Sequence, residues 1–126
     1  MHWLALGLTL LLAFGIIAIG TQYLAAPFSA MRLFGLPLPE GGANIAWWLR
    51  LKGVRDITSG LVVLAMMAWV TTREVGLVLV VEAIIPLGDM LTILAAKGSI
   101  KHAFGVHGLT AVTMLVAAVP LLMGMA

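Results

Sequence analysis

Apolar residues fill the chain in long stretches, and the polar positions between them are few. The first stretch runs from Leu4 to Ile19 almost without a break, and no charge occurs between Trp3 and Met31. A helix that crosses a bilayer needs about 20 mostly apolar residues. This stretch meets that length and closes near Gln22 and Tyr23. The second, Ile57 to Val70, reaches it only when extended back to Leu51, which draws Arg55 and Asp56 into the span. The third, Val75 to Ala96, contains Glu82, Pro86 and Asp89. The fourth starts near Ala103 and contains His107 and Pro120. The pattern predicts helices at about 3–23, 44–70, 75–96 and 103–124. The links at Thr71–Glu74 and Lys97–Lys101 are short, which makes neighbouring helices antiparallel. The predicted fold is all-α: a polytopic membrane protein, with residues 1–126 as a single transmembrane domain built as a four-transmembrane-helix antiparallel bundle.

The first connection departs from this economy. Between Ala26 and Trp47 it is about 20 residues long, well above the usual helix–helix link. Phe28 to Leu36 mixes apolar residues with Ser29 and Arg32, which reads as an interfacial segment. Pro37, Pro39, Gly41 and Gly42 then break any helix, and Asn44 is placed to cap the next one. Two roles fit such a segment: a connector on the membrane surface, or a lid over a site facing the cytoplasmic leaflet.

Composition supports the membrane assignment. The 126 residues are 63% hydrophobic and 10% charged, against roughly 45–50% and 25% in soluble domains. A soluble fold of this size could not hide so much apolar surface. The absence of cysteine excludes disulfides, thiol catalysis and thiolate metal sites. A net charge of +2 points neither to nucleic acid nor to acidic substrates. The placement of charge says more than its sum. The first and third connections carry Arg32, Arg50, Lys52, Lys97 and Lys101, and the opposite side only Arg73. The positive-inside rule then puts both termini outside and the first and third loops in the cytoplasm, in the inner membrane for a bacterial cell. Only His2 precedes the first span in place of a basic leader segment, so it is expected to stay as a helix and not be cleaved. Trp3 and Trp69 fall at the outer boundary, and Tyr23, Trp47, Trp48 and Phe104 at the inner one, as interfacial anchors.

The candidate chemistry lies in the few polar residues inside the spans. An ionisable group at mid-bilayer costs about 2.5–3.5 kcal/mol on insertion scales. Arg55, Asp56, Glu82 and Asp89 unpaired would therefore cost on the order of 10 kcal/mol, and are expected to face inward and find partners. At 1.5 Å rise per residue, Arg55 and Asp56 lie roughly 6–8 Å inside the cytoplasmic end, Asp89 roughly 10 Å and His107 about 6–9 Å. Glu82 is deeper, at about 20 Å. Lys52, Arg55, Asp56 and Ser59 form a polar stripe at helical spacing, and His107 shares a face with Thr110. An Arg55–Asp89 ion pair is expected, because the planar guanidinium binds carboxylates at two points. Asp56 would then cap the site or accept from His107. Pro86 has no N–H, so the Glu82 carbonyl loses its helix partner. That defect is either a simple kink or part of a wet cavity. Gly88 would allow close backbone approach there, and Gly7, Gly15, Gly20, Gly105 and Gly108 would allow tight packing.

Other features carry less. The eight methionines form no cluster with histidine at ligand spacing, so neither a metal nor a cofactor is expected. Lys97, Lys101 and His102 make a short basic rim for lipid headgroups. There is no phosphate-binding glycine loop, nucleophile elbow or metalloprotease motif.

The stretches AAPFSAMRLFGLP, LKGVRDITSGLVVL, IIPLGDMLTIL and VHGLTAV, in that order, resemble a family of small integral membrane proteins of bacteria and fungi labelled domain of unknown function 4267. The most specific parts are Lys52-Gly53-Val54-Arg55-Asp56, Pro86-Leu87-Gly88-Asp89 and His107-Gly108. The resemblance implies a four-helix membrane fold and no particular activity.

Three functions are compatible with these residues. The first is a site for a small lipophilic ligand, lined by Lys52, Arg55, Asp56, Ser59, Asp89, His107 and Thr110. In its catalytic form Asp89 or Glu82 is the acid or base, Arg55 stabilises negative charge and His107 relays a proton. It requires an enclosed cavity of roughly a few hundred Å³ touching Arg55, Asp89 and His107. The second is proton-coupled transport by a homo-oligomer, since intramembrane carboxyls often mark such pathways. The third is a structural accessory subunit whose polar cluster sets helix register. Membrane lipids are expected partners in all three, and nucleic acid in none.

Overall fold

The computed structural model describes residues 2–124, with Met1, Met125 and Ala126 outside the described residues. The described chain is all-helical: α1 (His2–Ala25), α2 (Pro27–Phe34), α3 (Ile45–Trp69), α4 (Thr72–Glu82), α5 (Ile84–Ala95), α6 (Ile100–His102), a π-helical turn (Ala103–Gly108) and α7 (Leu109–Leu122). Three rods, His2–Ala25, Thr72–Ala95 and Ile100–Leu122, are long and apolar enough to cross a membrane. The chain is therefore read as an integral membrane protein. At 25 residues α3 is as long, but Arg50, Lys52, Arg55 and Asp56 crowd its first half and make it too charged for that class.

Local chemistry sets the boundaries. Pro27 opens α2, where its missing N–H costs nothing. Gly35 ends α2 in the left-handed region at φ 105°, and a Cβ there would lie 2.6 Å from the Cβ of His102. A reciprocal capping box between Thr71 and Glu74 starts α4. Asn44 sits at the N-cap of α3, but its side chain makes no capping bond, contrary to expectation. The rod from Thr72 to Ala95 is interrupted at Ala83, one residue past the Glu82 carbonyl that Pro86 deprives of its N–H.

Helix packing is closest where glycine faces a neighbouring backbone. A Cβ on Gly20 would lie 2.6 Å from the Gly53 carbonyl, and one on Gly60 2.6 Å from the Ala13 carbonyl, which joins α1 to α3. Gly76 brings α4 to α7 in the same way. Of the glycines expected to do this, Gly20 and Gly108 meet a neighbour, while Gly7, Gly15, Gly88 and Gly105 meet none within 4 Å. Those four lie where no other helix approaches, so their small size has no packing consequence there.

The core is concentrated in one half of the molecule. Ala5, Ala13, Val63, Val75, Leu79, Met114, Ala117 and Leu121 form a single buried cluster toward the end that holds the α3–α4 link. In the other half α5 packs on the π-helical turn and α7, and α1 packs on α3. The two pairs part there, and α2 sits across the gap against α1 and α3. Trp3, Trp47, Trp48, Trp69 and Phe104 are exposed, as anchors must be. Tyr23 is not one of them: it is buried, with the Lys52 ammonium 4.8 Å from its ring centre.

Candidate functional site

The gap between the two helix pairs holds the polar residues. On α3, Lys52, Asp56 and Ser59 follow at intervals of four and three, so they share one face. Lys52 Nζ donates to Asp56 Oδ2 at 2.6 Å, and Asp56 is buried. The same ammonium lies 5.2 Å from the centre of the Phe34 ring. One helical turn on, the Ser59 hydroxyl donates to Glu82 Oε2 and ties α3 to α4.

Facing these, α5 and the π-helical turn present a second pair. Asp89 Oδ2 is 3.5 Å from His107 Nδ1. His107 Nε2 lies 3.0 Å from the Phe34 carbonyl, and the Phe34 ring meets the imidazole edge-on at 4.6 Å. A carbonyl can only accept, so Nε2 carries a proton. His107 Nδ1 is then the ring nitrogen turned toward Asp89. Thr110 lies one turn beyond, but its hydroxyl is spent on the Val106 carbonyl at 2.7 Å.

These side chains line one cavity of about 130 Å³. Lys52, Asp56, Ser59, Glu82, Asp89, His107 and Thr110 all reach it. Its other walls are apolar, chiefly Leu12, Ala13, Ile16, Val63, Leu79 and Met114. Phe34 closes one side, and Ile19, Ile85 and Val106, each about half exposed, form its lip. A second hollow, of about 380 Å³ between α1 and α7, is lined entirely by apolar residues such as Leu4, Leu8 and Val116.

The expected Arg55–Asp89 ion pair is not formed. Arg55 falls at the edge of the α3 stripe, where its side chain is exposed on the flank of the helix and does not line the cavity. Lys52 pairs with Asp56 and His107 faces Asp89 in its place. Asp56, expected to cap the site or accept from His107, accepts from Lys52. The cavity touches Asp89 and His107 but not Arg55, and it is smaller than the few hundred Å³ anticipated.

Two contributors were not legible as site residues. Phe34 comes from the first loop, which was read as an interfacial segment without a docking position. That position is held by the Gly35 carbonyl, which accepts from Ser99 N at 2.8 Å. The other contributor is the π-helical turn that carries His107. Such turns recur at functional sites. Gly105 and Gly108 within six residues weaken the α-helix there and are the only hint in the sequence.

Among the described residues, no three His, Asp or Glu side chains converge as metal ligands. No curated protein and no solved structure matches the chain. The family model described as Domain of unknown function (DUF4267) matches residues 13–121, a range that takes in every ionisable residue of the cavity, and the chain belongs to that family.

Proposed function

We propose that this protein is a four-span membrane protein that binds a small lipophilic molecule in the cavity between its helices. The observation that carries the reading is the convergence of Lys52, Asp56, Glu82, Asp89 and His107 from three separate rods on one apolar-walled cavity. Charged groups in the membrane interior mark functional sites by default. A cluster serving only to set helix register would pack on itself without a void, so the cavity disfavours the accessory reading. The volume of 130 Å³ is close to the ~150 Å³ that holds a benzene molecule. A ring or short chain would fit inside, with any longer part leaving past Ile19, Ile85 and Val106 toward lipid.

In this reading α3 is the fourth crossing. Its inward charges are matched within the site, and Arg55 reaches back to the headgroups, since helical side chains lean toward the N-terminal end. Both termini are then outside, and the first and third loops are cytoplasmic. Acid–base conversion of the bound molecule is the catalytic form of the same proposal, favoured by the placement of His107 Nδ1 3.5 Å from Asp89 Oδ2 on the cavity wall. Transport by one protomer is disfavoured, because buried Val63, Leu79 and Met114 close the way past Glu82.

Native mass spectrometry of the protein drawn from its own membranes tests the proposal. Wild type is expected to retain a small lipophile, and Asp89→Asn to lose most of it. An empty wild type, or equal occupancy in the variant, would sink the reading.

A further inference from the structure

We infer that the molecule this cavity takes is a lipophilic amine, held as its ammonium ion with Glu82 as counter-ion. The inference rests on the binding reading above and narrows it to one ligand class. Three carboxyl groups line the cavity, Asp56, Glu82 and Asp89, against two bases, Lys52 and His107. Lys52 is 2.6 Å from Asp56 and His107 is 3.5 Å from Asp89, so two of the three carboxyls are matched inside the chain.

Glu82 is the one left over. Its partner is the neutral hydroxyl of Ser59, which has a single proton to donate. A carboxylate offers about four acceptor sites, so most of its capacity is unused. Among the described residues the cavity lining holds no further cation for Glu82, and Arg55 is exposed outside the cavity. Pro86, itself on the cavity wall, removes the N–H that would occupy the Glu82 carbonyl, which adds another acceptor at the same position. With Glu82 held as its carboxylate, as the proposal requires, the site is rich in acceptors and short of one positive charge. An ammonium group supplies both the charge and the donors, whereas a carboxylate ligand would meet repulsion. A neutral alcohol could donate once but would leave the charge uncompensated. The apolar walls then select an amine carried on a small hydrocarbon body, at a volume suited to about six carbons.

The test uses three probes of equal chain length at neutral pH: hexylammonium, hexan-1-ol and hexanoate. Each is titrated calorimetrically into the full-length protein in lipid nanodiscs, with empty nanodiscs subtracting partition into lipid. Hexylammonium is expected to bind about tenfold more tightly than hexan-1-ol, and hexanoate more weakly than either. Glu82→Gln keeps the shape and the Ser59 contact but removes the charge. It should erase the advantage of the amine over hexan-1-ol. Equal binding of amine and alcohol, or a preference for hexanoate, overturns the amine assignment and leaves the cavity reading standing. Failure of all three to bind wild type overturns both. The ranking of probes on wild type decides the matter even where Glu82→Gln does not fold.

Discussion

Lys52, Arg55 and Asp56 lie within five positions of one another on α3, yet they meet different surroundings. Each step along a helix turns a side chain by about 100°, so Lys52 and Asp56, four apart, nearly coincide. Arg55 is displaced to the flank and left exposed. All three were visible as a polar stripe, but which cation would turn inward was not. Helix spacing gives the angles between residues and not the direction of the neighbouring helix. The Lys52–Asp56 pair has a testable energetic signature. Lys52→Met leaves a buried carboxylate without its cation and should cost about 1–3 kcal/mol. Adding Asp56→Leu removes the stranded charge and should recover much of that loss. Thermal unfolding in detergent, followed by circular dichroism, measures both. No loss in the single variant would mean that the pair contributes nothing to folding.

At the scale of elements, the π-helical turn and α2 depend on one another. The turn aims His107 at the Phe34 carbonyl, and the Gly35 carbonyl anchors the end of α2 on Ser99. An interfacial segment was expected over 28–36, and the structure has a short helix there, Pro27–Phe34. Its seat over the cavity depends on contacts with residues more than 60 positions away, which no local pattern encodes. A π turn holds one more residue than the α-helix around it. Deleting Gly105 should therefore restore regular α winding with the flanking rods nearly in register, and remove the wide turn that aims His107. His107 would then lose Phe34 while the rods persist. The expected result is unchanged helix content by circular dichroism and loss of the retained lipophile by native mass spectrometry. Retention of the lipophile would show that the His107–Phe34 contact is dispensable for binding.

For the whole molecule, the decisive asymmetry is between a closed half and an open one. Small residues draw the rods together around Val63, Leu79 and Leu121, and the charged half is held apart and bridged by α2. A four-span arrangement places the two ends of α3 on opposite sides of the membrane. The chain has no cysteine, so single replacements report cleanly. Arg73→Cys should react with a membrane-impermeant maleimide in intact cells, and Glu40→Cys only after lysis. Reaction of both from the same side would mean that α3 does not cross, and the reverse pattern would invert the orientation.

Read alone, the order of residues was enough for the all-helical class, for apolar helices long enough to cross a membrane and for the family. Apolar stretch length and helical spacing are local properties, and a bilayer solvent leaves few alternatives to helices. It was not enough for the pairing. Arg55 and Lys52 are equally basic and sit within one turn of each other, and only the packing of α3 on α1 and α4 turns one of them inward. The cavity, the π turn and the docked α2 have the same origin: they are set by where separate rods meet and where they part. That balance depends on glycine contacts and on contacts between residues distant in the chain, and periodicity along a single helix does not record it.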